Sequence, residues 1–356
     1  MTATMFALPQ QLKAQEAYVV KSKDGKTITF RYDKDKAKQK ATGTVYEINA
    51  THSDKYGTYP AWTGTYENQN KTTTEVVFTK EFKNYQPAST KYWFFCLTEM
   101  TQIKGMENLN TSKVTNMSNM FNYCKKLKSI DVSKLNTDNV TDMSGMFLYC
   151  SEVSEFNFSN FNTEKVTDMS SMFSYCTGIS ALDLSNFKTA NVKNMSNMFN
   201  GSYKLASLDI TKFDTRNVTD MSNMFLYCSG LVTLDIANFN TAKVMNMESM
   251  FRGCDRITTI ICNDKWTCGK SKEMFLGCTN LKGKVGYDRL KVDVAMASPE
   301  GYFTKKSATG ISTTTASMDA TIKAVYSTDG KLQTELQRGL NIVRMSDGTT
   351  RKVIKK

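Results

Sequence analysis

The stretch "VTDMSSMFSYC" at residues 166–176 returns almost unchanged as "VTDMSGMFLYC" at 140–150 and "VTDMSNMFLYC" at 218–228. Its Met-Phe pair recurs at 120–121, 146–147, 172–173, 198–199, 224–225, 250–251 and 274–275, with five spacings of 26 residues and a last one of 24. Self-similarity at a fixed period of this size is the mark of stacked supersecondary units. The unit reads M-F-x-x-C-x-x-L-x-x-L-D-L-S-N-F-N-T-x-x-V-T-D-M-S-x, and with its edges the repeat region spans about 92–285.

Two periodicities share each unit. Ala181-Leu182-Asp183-Leu184 alternates outward and inward, which predicts a short strand, with equivalents at 129–132, 155–158, 207–210 and 233–236. Met169, Met172, Phe173 and Cys176 fall at i, i+3, i+4 and i+7, which predicts one face of a short helix. Asp168 stands at its N-cap, in a column with Asn116, Asp142, Asn194, Asp220 and Asn246. Asn and Asp cap about equally well, so the column needs an oxygen rather than a charge. One such coil cannot bury its own apolar face; neighbours must complete both core and ladder. The expected fold is therefore an α/β, leucine-rich-repeat-like solenoid of about seven 26-residue coils, each a short strand plus a short helix.

The flanks read differently. Residues 1–16 resemble a signal-peptide leader, possibly truncated, with a short apolar run and no basic n-region. Residues 17–91 alternate in strand fashion ("TITFRY", "TVYEI", "TEVVF") and predict a β-rich N-terminal cap or a small independent adhesive domain. Residues 286–317 close the last coil and run into a Ser/Thr-rich linker. Residues 318–356, with Asp329-Gly330 and Asp347-Gly348 as hairpin signals, predict a small β C-terminal domain. Charge is uneven: 15 basic and 11 acidic residues in 1–110 (net +4), 17 and 16 in 111–280 (+1), 14 and 7 in 281–356 (+7). A nearly neutral repeat argues against a nucleic-acid groove, and no run approaches the ~20 apolar residues of a membrane span.

The unit "CTGISALDLSNFKTANVKNMSNMF", with Ile179, Leu182 and Leu184 in leucine-rich positions, resembles the BspA-like leucine-rich repeat surface proteins of bacteria over about 190 residues. The lead-in at 87–121 is similar too. That resemblance implies a secreted or cell-surface protein involved in adhesion to host matrix proteins or other cells. The ending, with Tyr326, Gly330, Gly339, Asn341, Ile342, Val343 and its basic tail, resembles a type IX secretion sorting domain, which implies that it is removed in the mature protein.

Chemistry is sparse. His52 is the only histidine, so a multi-histidine metal site is excluded and any triad must pass through that residue. No phosphate loop, Rossmann fingerprint, nucleophile elbow or zincin motif occurs, and no cofactor or catalytic residue is expected. Cys124, Cys150, Cys176, Cys228, Cys254 and Cys278 share a column in which one unit carries Ser202, and Cys96 is expected to lead it. They read as buried thiols, although an oxidising compartment would permit Cys96–Cys124, Cys150–Cys176 and Cys228–Cys254 bonds. Cys262 and Cys268 are the better disulfide candidates. The two methionine columns hold 13 of 21 methionines; they suit Cu(I), but core filling explains them with their apolar partners. The candidate ligand-binding face is the outward strand row Asp131, Asn157, Asp183, Asp209 and Asp235 with Glu155. Its acids bind a basic partner or cation, or else their own local backbone. Tyr123, Tyr149, Tyr175 and Tyr227 form a second candidate row, for a protein partner or a glycan. The expected function is a non-catalytic adhesion module for an extracellular protein or cell-surface ligand. The alternatives are a structural surface-assembly protein or a glycan-binding module.

Overall fold

The amides of Met169, Ser171, Phe173 and Tyr175 donate to the following coil, at the carbonyls of Asn194, Ser196, Met198 and Asn200, over 2.7–3.0 Å. The intervening amides of Met172, Ser174 and Cys176 turn back to the carbonyls of Met169, Ser171 and Phe173. Ser171 and Tyr175 both have φ of 56°. An α-helix would use its amides internally; this segment commits alternate ones to its neighbour. The expected helix is therefore replaced by linked turns with a left-handed residue every fourth position. Met169, Met172, Phe173 and Cys176 still all point inward, each 0% exposed, so the apolar stripe fits helix and turns equally. The computed structural model describes residues 14–306, 322–327, 332–337, 339–345 and 350–355, and among these the only α-helix is Lys36–Gln39, outside the repeat.

The strands match expectation more closely. β1 (Glu16–Ser22), β2 (Thr27–Asp33) and β3 (Gly43–Glu47) form an antiparallel set, beside a hairpin of β4 (Thr51–Asp54) and β5 (Gly57–Pro60). β6 (Glu75–Phe78) joins β2 in parallel, and β7 (Gln102–Lys104) joins β6. The parallel ladder thus begins inside the N-terminal region. Phe30, Trp62, Val76 and Phe78 share one core with Phe94, Phe121 and the repeat, within a single compact unit.

Each later coil contributes a three-residue strand: β8 (Ser129–Asp131), β9 (Glu155–Asn157), β10 (Ala181–Asp183), β11 (Ser207–Asp209), β12 (Thr233–Asp235) and β13 (Thr259–Ile261). β14 (Phe303–Thr304) pairs with β13 and closes the stack over Trp266 and Phe275. Phenylalanines at the same position stack through the interior: Phe147, Phe173, Phe199, Phe225 and Phe251 lie 5.5–5.9 Å apart, centroid to centroid. Buried threonines staple coil to coil. The Thr163 hydroxyl donates to the Lys188 carbonyl (2.9 Å) and accepts from the Lys188 amide (2.7 Å).

Strand pairing and the Asn/Asp side-chain bonds have twice the period of the sequence pattern, while backbone bonds between the turns repeat in every coil. β8 pairs with β9, β10 with β11, and β12 with β13, while no strand pairing joins β9 to β10 or β11 to β12. The Asn/Asp column divides in the same places. Asn116 Nδ2 donates to Asp142 Oδ2 (3.0 Å), Asn194 Nδ2 to Asp168 Oδ2 (3.3 Å) and Asn246 Nδ2 to Asp220 Oδ2 (3.4 Å). These side-chain couples fall in twos within a backbone ladder that runs unbroken from Asn116 to Asn246, and two carboxylates, Asp142 and Asp168, are neighbours across the first junction. The same side chains also close local turns, as where Asp168 Oδ1 accepts from the Ser170 amide and hydroxyl (2.8 and 2.6 Å). That is the oxygen-only role expected of a cap, exercised on a turn.

A second unit begins at Lys305. Its described strands, β15 (Ile322–Tyr326), β16 (Leu332–Gln333), β17 (Gly339–Met345) and β18 (Thr350–Lys355), form an antiparallel sheet in the order β16-β15-β17-β18, with Val325 and Val343 buried. Most of the leader-like segment, the Ser/Thr linker at 307–317 and the two Asp-Gly pairs lie outside the described residues.

Candidate binding surface

The strand row is built from self-satisfied turns. Asp131, Asn157, Asp183, Asp209 and Asp235 each accept, through Oδ1, from the amide two residues on, at 2.9–3.2 Å. These bonds to the Ser133 side chain and amide, and to the Ser185 amide, hold the Asp131 and Asp183 carboxyls below the usual range. Glu155 is exposed at the head of β9. The row lines one flank of the solenoid as expected, yet its oxygens aim at their own backbone. Among the described residues, no group of three or more His, Cys, Asp or Glu side chains converges to hold a metal. Where β7 and β8 fail to pair, an open hollow of about 480 Å³ lies over Ile103, Met106, Leu127 and Ile130, rimmed by Asp131 and Lys134.

The cysteine column is buried and bonded. Each thiol donates to the Phe carbonyl of the preceding coil: Cys150 to Phe121 (3.2 Å), Cys176 to Phe147 (3.2 Å), Cys228 to Phe199 (3.0 Å) and Cys254 to Phe225 (3.0 Å). Ser202 makes the same bond to Phe173 at 2.8 Å, which explains the one exchange the column tolerates. Burial pushes these thiols well up, that of Cys278 to about 12, so they stay protonated and unreactive. All nine cysteines are free. The Cys262–Cys268 pairing is not formed: Cys262 is buried and turned to the Asp264 carbonyl, while Cys268 turns to that of Lys270. Cys96 does not lead the column. Its amide pairs with the Asn122 carbonyl as that of Tyr123 pairs with Leu148, and its φ is 53°, so it belongs to the tyrosine column. Leu97 takes the place expected for it. His52 sits in β4 with its Nε2 buried and without a partner, edge-on to Tyr59; burial lowers its basicity.

The tyrosine row carries the least ordinary backbone. Tyr123, Tyr149, Tyr175 and Tyr227 have φ of 65°, 58°, 56° and 56°, and the same column holds Gly201, Gly253 and Gly277 at 70–87°. A bulky residue in the left-handed region costs roughly 1–2 kcal/mol, which glycine avoids. Tyr123 and Tyr149 lie 4.4 Å apart, as do Tyr149 and Tyr175, the latter pair at 7° between planes. The run ends where Tyr175 lies over Gly201, whose added Cβ would stand 2.8 Å from the ring. Tyr227 lies over Gly253 in the same way. Toward the N-terminus the row continues through Tyr66 (5.7 Å from Tyr123) to Tyr56, Tyr59 and Tyr92. Sequence periodicity placed four of these tyrosines; Tyr56, Tyr59 and Tyr66 come from outside the repeat and Tyr92 from its leading edge, and no spacing signal joined them to the column. Burial and the neighbouring phenol raise Tyr123 to about 12.

No curated protein matches the chain. Among solved structures, a leucine rich cell surface protein from Faecalibacterium prausnitzii A2-165 aligns with 83% of this chain and 98% of its own at 15% identity, with a TM-score of 0.27, too loose a superposition to transfer fold or function. The family model described as "Mycoplasma protein of unknown function, DUF285" matches residues 89–183 and 176–287. Those matches run across the whole tyrosine-bearing solenoid and more than half of the sequence, and the chain belongs to the DUF285 family.

Proposed function

We propose that this chain is a secreted or cell-surface, non-catalytic binding module whose solenoid displays a tyrosine edge to a macromolecular partner, in adhesion to matrix proteins or to other cells. The observation that carries it is the column in which glycine suits the backbone at three coils while tyrosine occupies four at φ near 60°. Strain kept at a residue whose neighbours dispense with it points to a use for the side chain. Tyrosine is also a residue of choice for protein contacts, being large, stiff and amphipathic. The strand-row acids support the fold by closing turns. The small antiparallel second unit is compatible with a sorting role, and residues 1–16 with a leader, both as part of this reading.

The test is binding of the full chain to immobilised matrix proteins, whole cells and a glycan array. It is repeated with Tyr123→Gly/Tyr149→Gly/Tyr175→Gly and with Asp183→Ala/Asp209→Ala/Asp235→Ala. The tyrosine variant should lose at least tenfold in affinity and the aspartate variant little. The reverse order would return the site to the strand face. Silence across all three panels would favour a structural assembly protein.

A further inference from the structure

Stacking decides what the tyrosine edge can recognise. An aromatic ring is negative on its faces and positive at its edge. With Tyr123, Tyr149 and Tyr175 at 4.4 Å, the inner faces cover one another and ring edges turn outward. Their phenols are linked as well, Tyr123 to Tyr149 and Tyr149 to Tyr175. Lys125 lies over Tyr123 of that stack (4.9 Å), and in the adjoining aromatics Lys55 lies over Tyr56 (4.9 Å) and Lys91 over Tyr92 (5.0 Å). These three tyrosines belong to one connected aromatic network. Lys55 already pairs with Glu67 at 3.1 Å; among the described residues, no carboxylate lies within ion-pair distance of Lys91 or Lys125. Asp54, also at the hairpin, is taken up by the amides of Tyr56, Gly57 and Glu67.

We infer that this edge is a docking surface for an acidic polypeptide segment of a protein partner, gripped by Lys91 and Lys125 along the ring edges of Tyr66 and Tyr123. Positive ring edges and unmatched ammonium groups together favour carboxylates. A sugar would need open ring faces or free phenols, and the stack leaves few of either, which favours a peptide over a glycan. Rings held by one another lose little freedom on binding, so the surface is pre-organised. The inference rests on the tyrosine edge being the contact surface and names the chemistry of its partner.

The experiment titrates the full chain into a fluorescein-labelled oligoglutamate peptide at low salt, with a Gly-Ser peptide and polygalacturonate as comparisons. Lys91→Glu/Lys125→Glu should weaken oligoglutamate binding at least tenfold. Lys212→Glu/Lys265→Glu, an equal charge change elsewhere, should stay within twofold. Glu67→Gln, which releases Lys55, should tighten it severalfold. A thermal melt confirms that each variant is folded. Equal losses in both double variants, no binding of the peptide, or tighter binding of polygalacturonate would each overturn the inference. A partner found on the panels above that is lost with the tyrosines but indifferent to Lys91 and Lys125 would sink this inference and leave the proposed function standing.

Discussion

Replacing Asn194 by Asp tests the pairing of coils directly. Asn194 stands between Asp168 and Asp220 in the ladder and donates to Asp168 Oδ2 at 3.3 Å. The substitution removes that bond, worth about 1 kcal/mol, and extends the row to four consecutive carboxylates, at 142, 168, 194 and 220. Two unit charges ~4 Å apart repel by about 1 kcal/mol in water and about 4 kcal/mol at the effective dielectric near a protein surface. Positions 168, 194 and 220 are half-buried, so the two new pairs, 168/194 and 194/220, should cost about 2–4 kcal/mol beyond the lost bond. The melting temperature at pH 8 should fall by about 5–10 °C. The pH dependence has a definite sign. Carboxylates that repel one another take up protons more readily in the folded chain than in the unfolded one. Folding therefore gains as pH drops through the carboxylate range, so the deficit is full at neutral pH and shrinks in acid. The compensating swap Asp168→Asn/Asn194→Asp keeps the net charge. It leaves one adjacent acid pair, as in the native row, moved from 142/168 to 194/220. It should melt within about 0.5 kcal/mol of the native chain. If N194D melts like the native protein at pH 8, or if the double variant is as unstable as the single one, the amide–carboxylate ladder does not couple the coils.

Ser202→Ala should cost about 1 kcal/mol by depriving the Phe173 carbonyl of one of its two donors, whereas Ser202→Cys should be nearly neutral; chemical denaturation reads both. Gly201→Ala should destabilise by about 1–3 kcal/mol, because φ is 70° and the new Cβ meets the Tyr175 ring, and the near-ultraviolet tyrosine signal should change with it. Thiol titration without reductant should find at most Cys268 reactive in the native chain and all nine cysteines after unfolding; a lower count on unfolding would mean that disulfides exist. Asp183→Asn should stay within about 0.5 kcal/mol because the amide oxygen can still accept from Ser185, while Asp183→Ala should lose about 0.5–1 kcal/mol.

Much of this architecture was legible in the repeat. Period-two alternation placed the strands at 129–131, 155–157, 181–183, 207–209 and 233–235, and the exchange of Cys for Ser202 pointed to a structural column. The helix did not survive, because Met169, Met172, Phe173 and Cys176 mark an inward face that linked turns satisfy as well. The missing clue was the residue five before the cysteine: Asn119, Gly145, Ser171, Asn197, Asn223 and Ser249, a column dominated by residues tolerant of positive φ. At the surface, the strand acids were the more conspicuous candidates by charge, yet Ser133, Ser159, Ser185 and Thr211, two residues downstream, are their own partners. The tyrosine row was visible, and its lysines sit one or two residues from the rings they cover, but its extension to Tyr56, Tyr66 and Tyr92 depends on packing between segments distant in the chain.

The coupling of coils in twos has a consequence for how such a chain can change its reach. Excising the 26 residues that carry Asn194 would bring Asp168 against Asp220, whereas excising the 52 residues that carry both Asp168 and Asn194 would leave Asn116–Asp142 beside Asp220–Asn246, each amide still with its acid. Recombination between repeats therefore meets a pairing rule. Loss of one whole couple keeps the remaining amide–acid couples intact, whereas loss of a single coil, or of two coils from different couples such as those of Asp142 and Asp168, strands an acid or an amide at the scar. The side-chain couples therefore favour changes of length by whole matched pairs of coils.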